Sequence, residues 1–208
     1  LDDILEKQVL DLAEREKRVI TVARISPEKH PELAVYLAYL LKKYKVPTVL
    51  AGAFSSHNKP LYDELVELSV KMNVDDYFEI KTNISREELI ELYRRSIAYV
   101  HITPKEHFGI SIVEAMAAGT PVIIPKNSGS WIDIAREDVK IAIPYCSLKE
   151  VKCYIKALLA NPQLWGLLSA SGRARAIELN RRSFRDKIYE VVKPLIGIKM
   201  KKTAILRE

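Results

Sequence analysis

Two carboxylates and two cations are the residues with the strongest claim to chemistry. Glu106 and Glu114 flank the start of an apolar, helix-patterned segment, Thr103-Pro-Lys-Glu106-His-Phe-Gly109-Ile-Ser-Ile-Val-Glu114-Ala-Met-Ala-Ala-Gly119-Thr-Pro121. A helix opening near Gly109 would offer free N–H groups and the positive end of its dipole, which suits an anion such as a diphosphate. Glu106 precedes that helix and Glu114 lies about one and a half turns into it, with its head directed back toward the helix start. Both can then reach one ligand at different depths, as carboxylates accepting from sugar hydroxyls would. Paired carboxylates also serve glycoside hydrolysis, but nothing in the sequence sets one pKa apart from the other. The cations stand in Arg24-Ile-Ser-Pro-Glu-Lys29, five residues apart, where two basic head groups can close over a phosphate.

Those residues need a frame. Short, nearly continuous apolar runs at Arg18–Ala23, Thr48–Ala51, Tyr77–Ile80, Ala98–Ile102, Pro121–Ile124 and Val139–Ile143 read as strands buried on both faces of a parallel sheet. Helical stripes lie between them. One is Leu33, Leu37, Leu40, Leu41 and Tyr44 behind Pro31, and another is Leu61, Leu65, Leu68 and Met72. Ser85…Glu88 and Ser147…Glu150 are spaced as capping boxes. The order predicts an α/β, Rossmann-like doubly wound parallel sheet with a helical C-terminal end. Ligands of such sheets bind beyond the carboxyl ends of the strands, and both motifs follow predicted strands.

Length and charge exclude other classes. A chain of 208 residues, 48% hydrophobic and 29% charged, can bury one large core without disulfides or metal. Cys146 and Cys153 read as buried free thiols on a helix. No apolar run approaches a membrane span, and Leu1-Asp2-Asp3 does not open a signal peptide. A start at Leu1 reads as processing or as a piece of a longer chain. The net charge of +6 sits wholly in residues 181–208, which hold nine basic and three acidic side chains. A nucleic-acid domain would spread its basic residues over the fold, so no nucleic-acid partner is expected. Dinucleotide, P-loop, zinc-protease and serine-hydrolase motifs are all missing. The divisions expected are a helical lead-in over 1–17, a ligand-binding domain over 18–182, and an amphipathic helix with a basic tail over 183–208. That helix would carry Phe184, Ile188, Val191, Val192 and Leu195 on one face, interrupted by Pro194.

The central block resembles the E-x7-E signature of the retaining family-4 glycosyltransferases, at Glu106 and Glu114. Their donor-binding domain is the C-terminal half of the two-domain GT-B fold. Arg24 and Lys29 meet that family's R-x4-K, and Gly52 meets the glycine that ends its second strand. Phe108, Gly109, Ala115, Met116, Ala117, Gly119, Pro121 and Val122 fill out the block. The resemblance implies transfer of a hexose from a nucleotide diphosphate sugar with retention at the anomeric carbon. It implies Arg24 and Lys29 on the diphosphate, and Glu106 on the sugar hydroxyls as the catalytic residue. Phe108, Gly109 and Ile110 would offer backbone N–H groups, Glu114 would hold the ribose, and Ile84 would touch the base. Gly52, Thr103 and His107 complete the implied substrate-binding set. No metal or other cofactor is implied, because the cations neutralise the diphosphate and no D-x-D pair is present.

Glu106-His-Phe-Gly-Ile, with Asn127-Ser-Gly129 and Asp133-Ile134, resembles the mannosyltransferases that extend lipid-linked oligosaccharides from GDP-mannose. His107 departs from the family's usual glycine, and Ser130-Trp131 from its usual Gly-Pro or Gly-Gly beside the sugar. A UDP-hexose stays open as donor. His107 is either a base or an imidazole that packs or faces solvent. His30, His57 and His101 have no evident partner and receive no role. An N-terminal acceptor domain is expected outside this chain. The location expected is cytoplasmic, with the basic tail able to meet an anionic membrane surface. The alternatives are a nucleotide-sugar-binding module without transferase activity, or an epimerase of the same GT-B fold.

Overall fold

Six parallel strands run in the order β3-β2-β1-β4-β5-β6. The computed structural model describes residues 1–196. The strands are β1 (Glu16–Val22), β2 (Thr48–Gly52), β3 (Phe78–Thr82), β4 (Ser96–Val100), β5 (Val122–Pro125) and β6 (Ile143–Tyr145). The helices are α1 (Asp2–Leu5), α2 (Glu32–Lys42), α3 (Lys59–Lys71), α4 (Arg86–Arg95), α5 (Ile110–Ala117), α6 (Leu148–Ala160), α7 (Pro162–Glu178) and α8 (Arg181–Ile196). Successive strand residues turn to opposite faces, so the sheet divides two cores. Val19, Leu50, Ala98, Val100 and Ile123 pack toward α2, α3 and α6; Ile20, Val49, Tyr99, Val122 and Ile124 pack toward α4 and α5. The strand order reverses between β1 and β4, and the crevice beyond their carboxyl ends is where such a sheet takes its ligand.

The predicted stripes face inward, with Leu37, Leu41 and Leu65 fully buried. Ser85 caps α4 as a complete box: its side chain accepts from the Glu88 N–H, and Glu88 accepts from the Ser85 N–H. Ser147 closes only half of the second box. It accepts from the Lys149 N–H, while Glu150 reaches past it to the Cys146 N–H. After α5 the chain reverses at Gly119, where the Thr120 N–H reaches the Ala115 carbonyl and the Gly119 N–H the Met116 carbonyl.

Four expectations are corrected. Residues 1–17 are not a helical lead-in: α1 is four residues long, and β1 begins at Glu16. The last strand is Ile143–Tyr145 rather than Val139–Ile143. Arg136 and Glu137 adopt left-handed backbone, turning the chain, and Val139 is exposed. Cys146 and Cys153 are free but exposed: Cys146 lies before the Ser147 cap rather than on the helix, and α6 turns Val151, Ile155 and Leu158 inward and Cys153 outward. Finally, α8 runs through Pro194 to Ile196 without interruption. Ile188 and Val191 on it are exposed. The side chains of Phe184 and Leu195, and residues 197–208, lie outside what is described.

A buried arginine ties the amino-terminal side together. Arg15 donates to the carbonyls of Leu10, Ser96 and Gly119 and to Thr120 Oγ1, with its guanidinium stacked on Trp165 4.6 Å from the ring centre. No carboxylate accepts from it in these bonds. Burial, with Arg94 nearby, holds its pKa down to about 10.

Candidate functional site

The loops at the carboxyl ends of β1 and β4 meet through Lys29 and Glu106. Lys29 Nζ stands 3.2 Å from Glu106 Oε2, both side chains largely shielded from solvent. The chain reaches this point from β1 through Arg24 and a short turn over Pro27–Lys29 that ends at His30 in left-handed backbone. Thr103 Oγ1, buried, donates to the Lys29 carbonyl at 3.4 Å and draws the two loops together. Glu106 Oε1 accepts from the His107 N–H at 3.1 Å. Its carboxyl is held down to about 2 by the His101 imidazole and then by Lys29, against burial, which pushes it up.

Glu114 centres a second cluster. Its Oε1 accepts from Arg86 Nη1 at 2.6 Å and its Oε2 from Tyr93 Oη at 3.2 Å. The other edge of the Arg86 guanidinium bonds Asp3, holding that carboxyl down to about 2. Between the two clusters lies α5, capped by Gly109 at φ +85° with no side-chain cap bond. A Cβ there would be strained and would meet Ile112. The first-turn N–H groups of α5 therefore lack the capping side chain that often satisfies them. The helix has Lys29 and Glu106 ahead of it and Glu114 on its flank, so the site joins a cation, an open helix N-terminus and two acceptors.

Several supports were not legible as site residues. His101, two residues beyond Tyr99 at the end of β4, is 2% exposed with Nε2 3.5 Å from Glu106 Oε2. It has a close partner after all, and a histidine closing a buried strand was the available signal. Arg86, first residue of α4 after the Ser85 cap, signals itself only by standing at the same sheet edge. Asn83 Oδ1 accepts from the Phe54 N–H and its Nδ2 donates to the Phe54 carbonyl, which joins the loops after β2 and β3 beside Ile84. The Gly129 N–H donates to the Glu106 carbonyl at 2.8 Å, and any Cβ at Gly129 would strike the His107 carbonyl.

Other candidates stand further from these contacts. Arg24 is well exposed and pairs with Glu28 at 3.5 Å rather than with Glu106. Gly52 lies under the same loop: a Cβ on it would come within 1.8 Å of the Ala23 carbonyl oxygen, so only glycine lets β2 pass so close. Ile84 is half-buried, and Phe108, Ile110 and His107 are exposed around the mouth of α5. Ser130 and Trp131 are buried, with the indole in the core rather than lining the loop, where the chain makes one wide turn over Ser130–Ile134. Among the described residues no three His, Cys, Asp or Glu side chains gather to hold a metal, and no helix is long and apolar enough to cross a membrane.

A family model described as "Glycosyl transferases group 1" matches residues 2–176. The chain belongs to that family. This group 1 glycosyltransferase chain is 27% identical, over 193 residues, to the GDP-Man:Man(3)GlcNAc(2)-PP-Dol alpha-1,2-mannosyltransferase of Dictyostelium discoideum, covering 88% of this chain and 38% of the relative. It is 31% identical over 139 residues to the human protein of the same name, covering 60% and 28%. It thus spans little more than a third, or less, of these curated relatives. Among solved structures it is similar to the C-terminal domain of a group 1 glycosyl transferase from Francisella tularensis. There the TM-score is 0.66 at 23% identity, covering 79% of this chain and 87% of that one. It is also similar to the Anabaena protein HepE solved with UDP and glucose, with TM-score 0.72 at 19% identity, covering 87% and 49%. The sheet of this group 1 glycosyltransferase is therefore a Rossmann-like half of the GT-B fold.

Proposed function

We propose that this chain is the donor-binding half of a retaining hexosyltransferase that moves mannose from GDP-mannose to a lipid-linked glycan. The observation that carries the reading is the apposition of Lys29 and Glu106 at the mouth of α5, with Glu114 one helix face away. The nucleotide diphosphate lies against the first turn of α5 and the Lys29 ammonium, and Arg24 swings from its exposed pair with Glu28 to join them. Glu114, steadied by Arg86 and Tyr93, accepts from the ribose hydroxyls, and Ile84 lies against the base. Glu106 accepts from the sugar hydroxyls and sets the anomeric carbon toward the acceptor. As the glycosidic C–O bond breaks, charge collects on the departing diphosphate. Fixed donors in the helix terminus and Lys29 stabilise it without having to reorganise.

Mannose rather than another hexose is supported by Glu106-His-Phe-Gly-Ile and by the names of the Dictyostelium and human relatives. The acceptor is bound by a further domain, and residues 181–208 rest against an anionic membrane surface. Titration of the 208-residue chain with GDP-mannose, UDP-glucose and ADP-glucose tests the reading. Heat of binding is expected for GDP-mannose first. No binding of any of the three at millimolar concentration, with the fold intact, would overturn it.

A further inference from the structure

His101 is buried beside the candidate site and is not used by the mechanism above. Its backbone is fixed on both sides: its N–H donates to the Ile123 carbonyl at 2.9 Å, and its carbonyl accepts from Tyr145 Oη of β6 at 2.7 Å. Its ring lies against Tyr99, with centres 6.0 Å apart. Nδ1 is 2.8 Å from Tyr99 Oη, which is itself 2.9 Å from Ser111 Oγ in the first turn of α5. Nε2 has no completed hydrogen bond and faces Glu106 Oε2 at 3.5 Å. The charged and titratable groups around the imidazole are thus Tyr99 on β4, Tyr145 on β6, Glu106 on the following loop and, beyond Glu106, Lys29.

Donor counting sets the direction of this line. An ionised Glu106 can only accept, so Nε2 facing it is favourable only when it carries a proton. In a neutral ring Nδ1 must then accept, and Tyr99 is the donor to it. Burial raises the Tyr99 phenol well above its ordinary pKa, so it keeps its O–H. The Tyr99 oxygen in turn accepts from Ser111. Protons therefore point one way, from Ser111 through Tyr99 and His101 toward Glu106.

We propose that His101 is a positioning residue for Glu106: Tyr99 and Ser111 hold the imidazole with its proton on Nε2, and Nε2–H fixes the carboxylate over the donor sugar. This rests on the donor-binding reading. A small rotation of Glu106 completes the bond, and hydrogen bonds of this kind are often long before substrate arrives. Lys29 holds the same oxygen, so the carboxylate is gripped from the β1 loop and from β4 at once. The role of Ser111 gives the helix mouth a link to Glu106 without direct contact.

Two measurements test this in the 208-residue chain. The first is the tautomer of His101, read from long-range proton–nitrogen NMR of uniformly labelled protein at neutral pH without ligand. A proton on Nε2 is expected; a neutral ring protonated on Nδ1 would overturn the proposal. The second compares GDP with GDP-mannose by calorimetry. In His101→Met the extra affinity contributed by the sugar should fall about ten-fold, while affinity for GDP stays within about two-fold. His101→Gln, whose amide can donate from near the Nε2 position, should keep that extra affinity. Loss in Gln equal to the loss in Met, or no loss in Met, would count against the donated bond. If wild-type chain binds neither ligand, the donor reading fails, and the tautomer alone decides whether His101 orients Glu106.

Discussion

Lys29 Nζ and Glu106 Oε2 stand 3.2 Å apart although 77 residues separate them in the chain. The contact spans the junction between β1 and β4, the one place in this sheet where the strand order reverses. It places a cation and an acceptor together at the mouth of α5, where a departing diphosphate and a sugar hydroxyl would need them. The pair is thus both a clasp between two loops and the base of the proposed donor site.

The clasp has a pH signature. Glu106 has a folded pKa of about 2 against an ordinary value of 4.5, so its ionised form is favoured by folding. That contribution is complete above about pH 4.5 and disappears as pH falls through about 2. Glu106→Gln should lower unfolding free energy by roughly 2 kcal/mol at neutral pH. Urea titrations should show the gap to wild type narrowing across that acid window. A gap independent of pH from 7 to 2 would contradict it.

Arg86 should matter to nucleotide and fold alike. Its fork bonds Asp3 with one edge and Glu114 with the other. Arg86→Ala would leave Glu114 held only by Tyr93, and should weaken GDP and GDP-mannose equally, by about ten-fold in calorimetry. Arg86→Lys should recover only part, because an ammonium cannot present two edges. Unchanged binding in Arg86→Ala would remove Glu114 orientation from the account.

Arg15 should be the costliest charged side chain to lose away from the site. It satisfies buried carbonyls of Ser96 and Gly119 at 3.0 Å each. Arg15→Met would take this donor from the Ser96 carbonyl and leave the Gly119 carbonyl with the Ser169 hydroxyl alone, and should destabilise by about 3 kcal/mol in urea denaturation, without changing nucleotide affinity in the folded protein. A loss below about 1 kcal/mol would show that the acceptors find other partners.

Much of this architecture was legible in the residues. Continuous apolar runs located β1 to β5 within a few positions, because strands covered on both faces need apolar side chains throughout. The run Val139–Ile143 misled because its apolar residues are consistent with a strand, whereas the left-handed Arg136 and Glu137 that turn the chain before it have no glycine to mark them. Glu106, Glu114 and Lys29 could be singled out because each follows a strand or opens a helix. Their supports could not. Arg86 meets Glu114 across 28 residues, and Ser111 reaches His101 only through Tyr99, so those contacts exist only once the chain is folded. Arg24 shows the reverse case: its spacing to Lys29 is right, and its side chain rests on Glu28.

The central claim divides the two glutamates between nucleotide and sugar, and binding of GDP and GDP-mannose to Glu114→Ala and Glu106→Ala tests it most directly. Glu114→Ala should weaken both ligands by the same factor, about ten-fold or more, because the ribose is common to them. Glu106→Ala should leave GDP unchanged and remove the additional affinity of GDP-mannose. Equal loss of GDP binding in both variants, or loss of GDP binding in Glu106→Ala alone, would contradict the assignment.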